Sequence, residues 1–160
     1  MKKKIIIGFF AFIIGIIISQ YSYSFLRELI QNIFLWSTSN RIKFIGKNFH
    51  LFGGAFYSLS VGFSFLILIL DNLKKTLADY LKKIIITLLI FGIIIVGFSS
   101  LDANLKIVEC TACDDGIRKL RWNEINYGLI LGLSAIIAII PSLIRIIKRI
   151  IKPAHNKVYN

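Results

Sequence analysis

The sequence contains two cysteines, and their spacing is the clearest local sign of chemistry. Cys110 and Cys113 form a CxxC pair. Such a pair can close a structural disulfide, exchange electrons as a redox-active dithiol, or give two thiolates to a metal site. His50 or an aspartate would have to complete a metal site, and the second pair of ligands that zinc requires is missing nearby. We therefore predict a structural or redox disulfide, and neither a metal nor a cofactor.

A second set of polar residues has the chemistry to bind an anion. These residues stand at the ends of long apolar segments: Lys47, His50, Asp102, Arg118 and Glu124. Arginine and lysine bind phosphate or carboxylate groups, and a histidine near a carboxylate can transfer protons. A chain with four spans places all five on one side of a membrane, which predicts a shared ligand-binding site. The alternative is ordinary ion pairing at the membrane interface.

Four apolar segments must position these residues. The chain has 160 residues, is 56% hydrophobic and has a mean hydropathy of +0.75. About 20 apolar residues cross a bilayer core as a helix, and four segments reach or approach that length: 5–23, 51–70, 84–101 and 125–144. The sequence therefore predicts an all-α polytopic membrane protein with four transmembrane helices, in one integral membrane domain that covers residues 1–160.

The net charge of +12 predicts the orientation of these spans. Most of the basic residues lie before the first span, between the second and third spans, and after the fourth span. Because segments rich in lysine and arginine stay in the cytoplasm, we expect both termini on the cytoplasmic side of a bacterial inner (plasma) membrane. The charge then contacts anionic membrane lipids, and nucleic acid is not expected as a partner.

The first segment has two interpretations. A basic start followed by an apolar stretch is typical of a cleaved signal peptide as well as of a membrane anchor. Residues 22–24 are a poor cleavage site, which favours an uncleaved anchor. Cleavage would leave three spans and would not change their orientation.

Shorter elements are predicted next to the spans. Leu26, Ile30 and Phe34 share a helical face opposite Arg27 and Gln31, which predicts a short amphipathic helix on the outward side. The outward segment 102–124 is predicted to be a small hairpin or an irregular cap. After Pro141, residues 144–152 are predicted to form a basic interfacial helix.

Small residues recur every four positions in three of the spans: Ala11, Gly15 and Ser19; Gly54, Ser58 and Gly62; Gly128 and Gly132. Small residues let helices approach closely in lipid. We expect packing within the bundle, with a protein partner or a second copy of the chain as the alternative. No ionisable residue lies in the middle of a span, which argues against an ion-coupled transporter.

Part of the chain resembles the VanZ-like family of small membrane proteins. The stretch 47–52, KNFHLF, is similar to that family's entry into its second helix. Asp102, Arg118, Glu124 and the glycines Gly128 and Gly132 then follow in the order that the family has. The sequence departs from the pattern at Gly46, where the family has an acid. The resemblance implies a cell-envelope role, linked in that family to glycopeptide resistance. The polar residues at the helix ends add the hypothesis of an anionic lipid-linked or glycopeptide-related ligand.

Two other functions are consistent with the sequence. Disulfide-generating membrane enzymes of the DsbB and vitamin K epoxide reductase kind are four-helix bundles with an outward CxxC. This chain shares that outline but lacks their second cysteine pair, so a thiol–disulfide oxidoreductase is an alternative. A non-catalytic accessory subunit of a membrane complex is another. The sequence is therefore consistent with an enzyme and with a non-catalytic protein.

Overall fold

The described part of the protein contains four long α-helices, as the prediction of an all-α fold requires. A computed structural model describes residues 2–46, 54–72, 76–109 and 116–155. The helices are α1 (Lys2–Ser37), α2 (Ala55–Asn72), α3 (Leu77–Val108) and α4 (Tyr127–His155). All four are long and apolar enough to cross a membrane. This confirms the fold class, and each helix contains all or most of one predicted span.

The helices alternate in direction, so the bundle has two distinct ends. Helices α1 and α2 are antiparallel, because Gly8 lies near Leu70 while Ser22 contacts Tyr57. Helix α4 runs parallel to α2. The start of α1 and the end of α4 therefore lie at one end, which we call the terminal end. The opposite end, which we call the cap end, contains the segments between α1 and α2 and between α3 and α4.

The four-residue spacing of small residues serves packing within the bundle. A Cβ atom on Gly15 would lie 2.9 Å from the Cα atom of Gly62, so the backbones of α1 and α2 are in close approach there. A Cβ on Gly54 would lie 3.4 Å from the Cα of Gly128, which sets the approach of α2 and α4. Larger side chains at these positions would force the helices apart, as expected for packing through small residues.

Helix α1 is longer than predicted. It has 36 residues, about 54 Å at a rise of about 1.5 Å per residue, and it ends only where Ser39 and Asn40 adopt positive φ angles. The expected amphipathic helix is thus the final part of α1, because no glycine or proline separates it from the first span. The prediction that Arg27 and Gln31 lie on an exposed polar face is wrong, because both residues are buried.

A small sheet forms part of the cap end. Strand β1 (Ile42–Ile45) pairs in parallel with strand β2 (Arg118–Arg121), and Ile42 faces Arg118. Segment 102–124 is therefore neither a hairpin nor an irregular cap in its described part. Helix α3 continues to Val108, and the partner of β2 is β1, which lies before α2, rather than a strand of the same segment.

Helix α4 also continues beyond its predicted end. It passes through Pro141, whose ring is on the exposed side, and includes the segment predicted as a separate interfacial helix. Proline is tolerated in membrane helices, where neighbouring groups satisfy the freed carbonyl. The consequence is that Arg145 and Arg149, one turn apart, stay aligned on the same rigid helix.

Candidate functional site

Four of the residues predicted to carry chemistry lie outside the residues that the structure describes. They are Lys47, His50, Cys110 and Cys113. The disulfide in its structural or redox form stays a prediction, and so do the roles of Lys47 and His50 in binding a ligand.

The other three predicted site residues lie at the cap end, and two of them bond to nearby backbone. Arg118 Nη1 donates to the carbonyl oxygen of Lys106 at 2.7 Å, near the end of α3. Glu124 Oε1 accepts from the backbone N–H of Arg121 at 3.0 Å. Asp102 is partly exposed on α3. No hydrogen bond or ion pair within the described ranges joins these three side chains, so their shared role in binding stays a prediction.

The structure instead shows a buried arginine that the sequence reasoning placed on a polar surface. Arg27 is only 5% exposed, and its guanidinium carbon lies 4.8 Å from the centre of the Tyr127 ring. Two of its nitrogens, Nε and Nη2, have no hydrogen-bond partner in the described part of the chain. No carboxylate of that part forms an ion pair with it. Arg27 is therefore a buried cation that lies over an aromatic ring, and its Nε and Nη2 atoms can still donate hydrogen bonds.

Tyr127 and Gln31 complete this site, which we call the Arg27 cluster (Arg27, Gln31 and Tyr127). Gln31 Nε2 donates to the hydroxyl oxygen of Tyr127 at 3.0 Å. Because that hydroxyl accepts from Gln31, its own hydrogen remains available to donate to a bound oxygen. The cluster thus offers several donors and a positive charge at the junction of α1 and α4.

The bundle interior next to the cluster is also polar. The Ser22 and Tyr57 hydroxyls lie 2.8 Å apart, and Gln20 Nε2 donates to Ser58 Oγ at 2.6 Å. On α3 the fully buried hydroxyl of Ser99 has no partner among the described residues. The cap half of the bundle therefore contains polar groups on α1, α2 and α3, and those on α1 and α2 bond to each other.

A second charged site, the Asp71 cluster (Asp71, Lys83, Arg145 and Arg149), joins three helices at the terminal end. The Asp71 side chain is fully buried. Its Oδ2 atom accepts from Lys83 Nζ at 2.5 Å and from Arg145 Nε at 3.2 Å, while Arg149 Nη2 lies 3.0 Å from Oδ1. One carboxylate thus connects α2 to α3 and α4, and the cluster keeps two positive charges in excess.

The two charged sites are separated by about the thickness of a bilayer core. Tyr127 and Arg145 mark the two sites on α4, and a rise of about 1.5 Å per residue places them about 27 Å apart. The hydrocarbon core of a bilayer is about 30 Å thick. If the bundle spans a membrane, each site lies near the headgroups of one leaflet.

Arg27 and Asp71 differ in how their charge is balanced. A buried ion without a counter-ion loses several kcal/mol of solvation free energy that its surroundings do not return. Asp71 has three cations, whereas Arg27 has an aromatic ring and no anion in the described part of the chain. Such uncompensated charges are typical of functional positions in membrane proteins. The Arg27 cluster can therefore bind a phosphate or a carboxylate.

A signal for Arg27 does exist in the sequence. The small residues Ala11, Gly15 and Ser19 recur every four positions, and the same spacing continues through Tyr23, Arg27 and Gln31, all of which are buried. Extending that row would have placed Arg27 against the bundle. No protein-family model, curated protein or solved structure matches the chain, so the cluster is understood from its own geometry.

Proposed function

We propose that this chain is a multi-pass protein of a bacterial inner membrane that binds an anionic, lipid-linked ligand on its outward side through the Arg27 cluster. The observation that carries the proposal is the buried Arg27 guanidinium, which is 5% exposed and has two nitrogens without partners in the described residues. A bound anion supplies both the missing hydrogen bonds and the missing charge.

The distribution of charge supports an outward cap end. The terminal end carries the Asp71 cluster with its excess of positive charge, and the N-terminal lysines and the last turns of α4 belong to the same end. Segments rich in lysine and arginine stay in the cytoplasm. In this orientation both termini are cytoplasmic, and the Arg27 cluster lies at the level of the outer headgroups.

The geometry of the guanidinium favours a phosphate or a carboxylate as the bound group. Nε and Nη2 lie on one edge of the planar guanidinium, where two oxygens of one anion can accept both hydrogen bonds. The Tyr127 hydroxyl adds a third donor. Because the cluster is buried at headgroup depth, a ligand that arrives within the membrane reaches it more directly than a soluble ligand, which favours a lipid-linked phosphate.

The predicted residues of the cap fit the same proposal. Asp102, Arg118 and Glu124 belong to the cap end, and we assign them, with Lys47 and His50, to the polar part of the ligand beyond its phosphate. The resemblance to VanZ-like proteins supports a role in the cell envelope. In this account the Arg27 cluster holds the phosphate, and the cap selects what is attached to it.

Binding of a prenyl phosphate tests the proposal. The purified protein is titrated with farnesyl phosphate and with farnesol, and thermal unfolding reports binding. We expect saturable stabilisation by the phosphate and not by the alcohol. Arg27→Gln should weaken phosphate binding by about 10- to 100-fold, since hydrogen bonds to charged groups contribute roughly 1.5–3 kcal/mol.

Arg41→Gln is the matched control, because Arg41 is an exposed arginine at the same end of the bundle. It should keep the affinity of the unmodified protein. Equal affinities for Arg27→Gln and Arg41→Gln, or equal stabilisation by farnesol and farnesyl phosphate, would overturn the proposal.

A further inference from the structure

A groove between α1 and α2 lies in the terminal half of the bundle, far from the Arg27 cluster. Its volume is about 540 Å³, within the range of roughly 300–1,000 Å³ that small-molecule sites occupy. The lining is apolar, with residues from both helices: Ile5, Gly8 and Phe12 from α1, and Phe63, Leu66 and Leu70 from α2. A groove of this size and character accommodates part of a hydrocarbon chain.

Gly8 gives the groove its depth, and helix packing does not account for it. A Cβ atom at Gly15 would lie 2.9 Å from the backbone of α2, whereas one at Gly8 would meet nothing closer than 3.9 Å. A glycine inside a helix costs about 1 kcal/mol relative to alanine. The bundle therefore keeps at Gly8 an open space that a side chain would fill without a clash.

The groove is bounded by two aromatic rings at one end and lies next to a lysine-rich helical turn at the other. The Phe12 and Phe63 rings meet edge to face, 5.1 Å apart, at the end that lies deeper in the bundle. Ile5 and Leu70 mark the other end, about 10 Å away along the helices. The turn of α1 that precedes Ile5 is Lys2–Lys4. An apolar slot that follows a turn of three lysines in the sequence is complementary to an acyl chain attached to an anionic headgroup.

We propose that this groove binds one acyl chain of an anionic phospholipid from the leaflet at the terminal end, with the headgroup near Lys2–Lys4. The inference rests on the membrane placement in the proposed function and is independent of the Arg27 ligand. A lipid is favoured over a protein helix because the slot is short, and because three consecutive lysines precede its first lining residue, Ile5, in the sequence.

Native mass spectrometry of the purified chain tests the groove. Phosphatidylglycerol and phosphatidylcholine with identical chains are the probes. The unmodified protein should retain phosphatidylglycerol at least about fivefold better than phosphatidylcholine, since lysines near a membrane surface attract anionic lipid. Gly8→Leu should reduce retention of both lipids several-fold. Replacing all three residues of Lys2–Lys4 by glutamine should remove only the preference for the anionic lipid.

Two controls separate filling of the groove from general damage. Gly8→Ala adds a methyl group at ordinary contact distance, and Gly92→Leu adds a side chain where nothing lies within 4 Å. Both should retain phosphatidylglycerol like the unmodified protein. Unchanged retention in Gly8→Leu, or a dimer in the unmodified protein that Gly8→Leu abolishes, would overturn the proposal.

The Arg27→Gln variant separates failure of the groove proposal from failure of the proposed function. In an Arg27→Gln background, Gly8→Leu should lower phosphatidylglycerol retention by the same factor as in the unmodified protein, because the two sites lie in opposite halves of the bundle. Loss of retention in Arg27→Gln together with full retention in Gly8→Leu would place the lipid at the Arg27 cluster and overturn the groove as its site.

Discussion

Asp71→Asn is expected to lower the free energy of unfolding by about 3–5 kcal/mol, the cost of removing one partner from a buried ion pair. The Asp71 side chain is fully buried, and it is the carboxylate that α3 and α4 share through Lys83, Arg145 and Arg149. Asparagine preserves the shape and removes the charge. The largely buried Lys83 then loses its counter-ion, the half-exposed Arg145 and Arg149 lose a partner, and the three helices lose their common contact at the terminal end.

Unfolding of the purified protein in mixed micelles measures this effect. Asp79→Asn is the control, because Asp79 is an exposed acid at the start of α3 that bonds only locally to Thr76. Its loss should change the stability by about 1 kcal/mol or less, as for other helix caps. A second substitution, Lys83→Met, should partly restore the stability of Asp71→Asn by removing one unbalanced cation. A change below about 1 kcal/mol in Asp71→Asn would contradict a stabilising role for the cluster.

Arg27→Met is expected to act in the opposite direction, raising the stability of the ligand-free protein by about 1–2 kcal/mol while abolishing binding of farnesyl phosphate. A buried ion without a counter-ion costs several kcal/mol, and the contact with the Tyr127 ring returns about 2 kcal/mol. Methionine has a similar length and needs no hydrogen bonds. A gain in stability with a loss of binding is typical of a residue that is kept for function.

Arg145→Met is the comparison for Arg27→Met, because Arg145 is a half-exposed cation with a buried carboxylate partner 3.2 Å away. It should lower the stability by about 1 kcal/mol or less, as for other partly exposed ion pairs, and leave binding of farnesyl phosphate intact. If Arg27→Met instead destabilised the ligand-free protein as much as Arg145→Met does, Arg27 would be a structural residue and the binding proposal would lose its main support.

The four helices could be predicted from the sequence, because long apolar runs separated by charged segments leave few alternatives. Close packing of α1 with α2 could also be predicted, because small residues recur every four positions on both helices. Gly15 and Gly62 belong to these rows, and the two backbones approach each other closely there. The length of α1, by contrast, could not be predicted from the apolar run. Its predicted span ended near the first charged residues, whereas the helix continues for as long as nothing in the sequence breaks it.

The two charged sites were missed for a different reason. The four-residue row that starts at Ala11 indicates burial of Arg27, but its contact with Tyr127 and the burial of Asp71 depend on how the helices pack, which is a property of the assembled bundle. The pairing of β1 with β2 is also a tertiary property, since each strand has only four residues and its partner is distant in sequence. Local sequence patterns therefore predict the helices, whereas the candidate site forms only where the helices pack against one another.

The most direct test of the Arg27 cluster measures the distance between a bound phosphate and the arginine guanidinium. Protein with ¹⁵N-labelled arginine is reconstituted in bilayers of a phosphorus-free glycolipid, so that farnesyl phosphate is the only source of ³¹P, and solid-state NMR detects ¹⁵N–³¹P dipolar coupling. We expect coupling at hydrogen-bond distance in the unmodified protein and in Arg41→Gln, and its loss in Arg27→Gln. Coupling that persists in Arg27→Gln, or that is absent from the unmodified protein at saturating phosphate, would contradict the account.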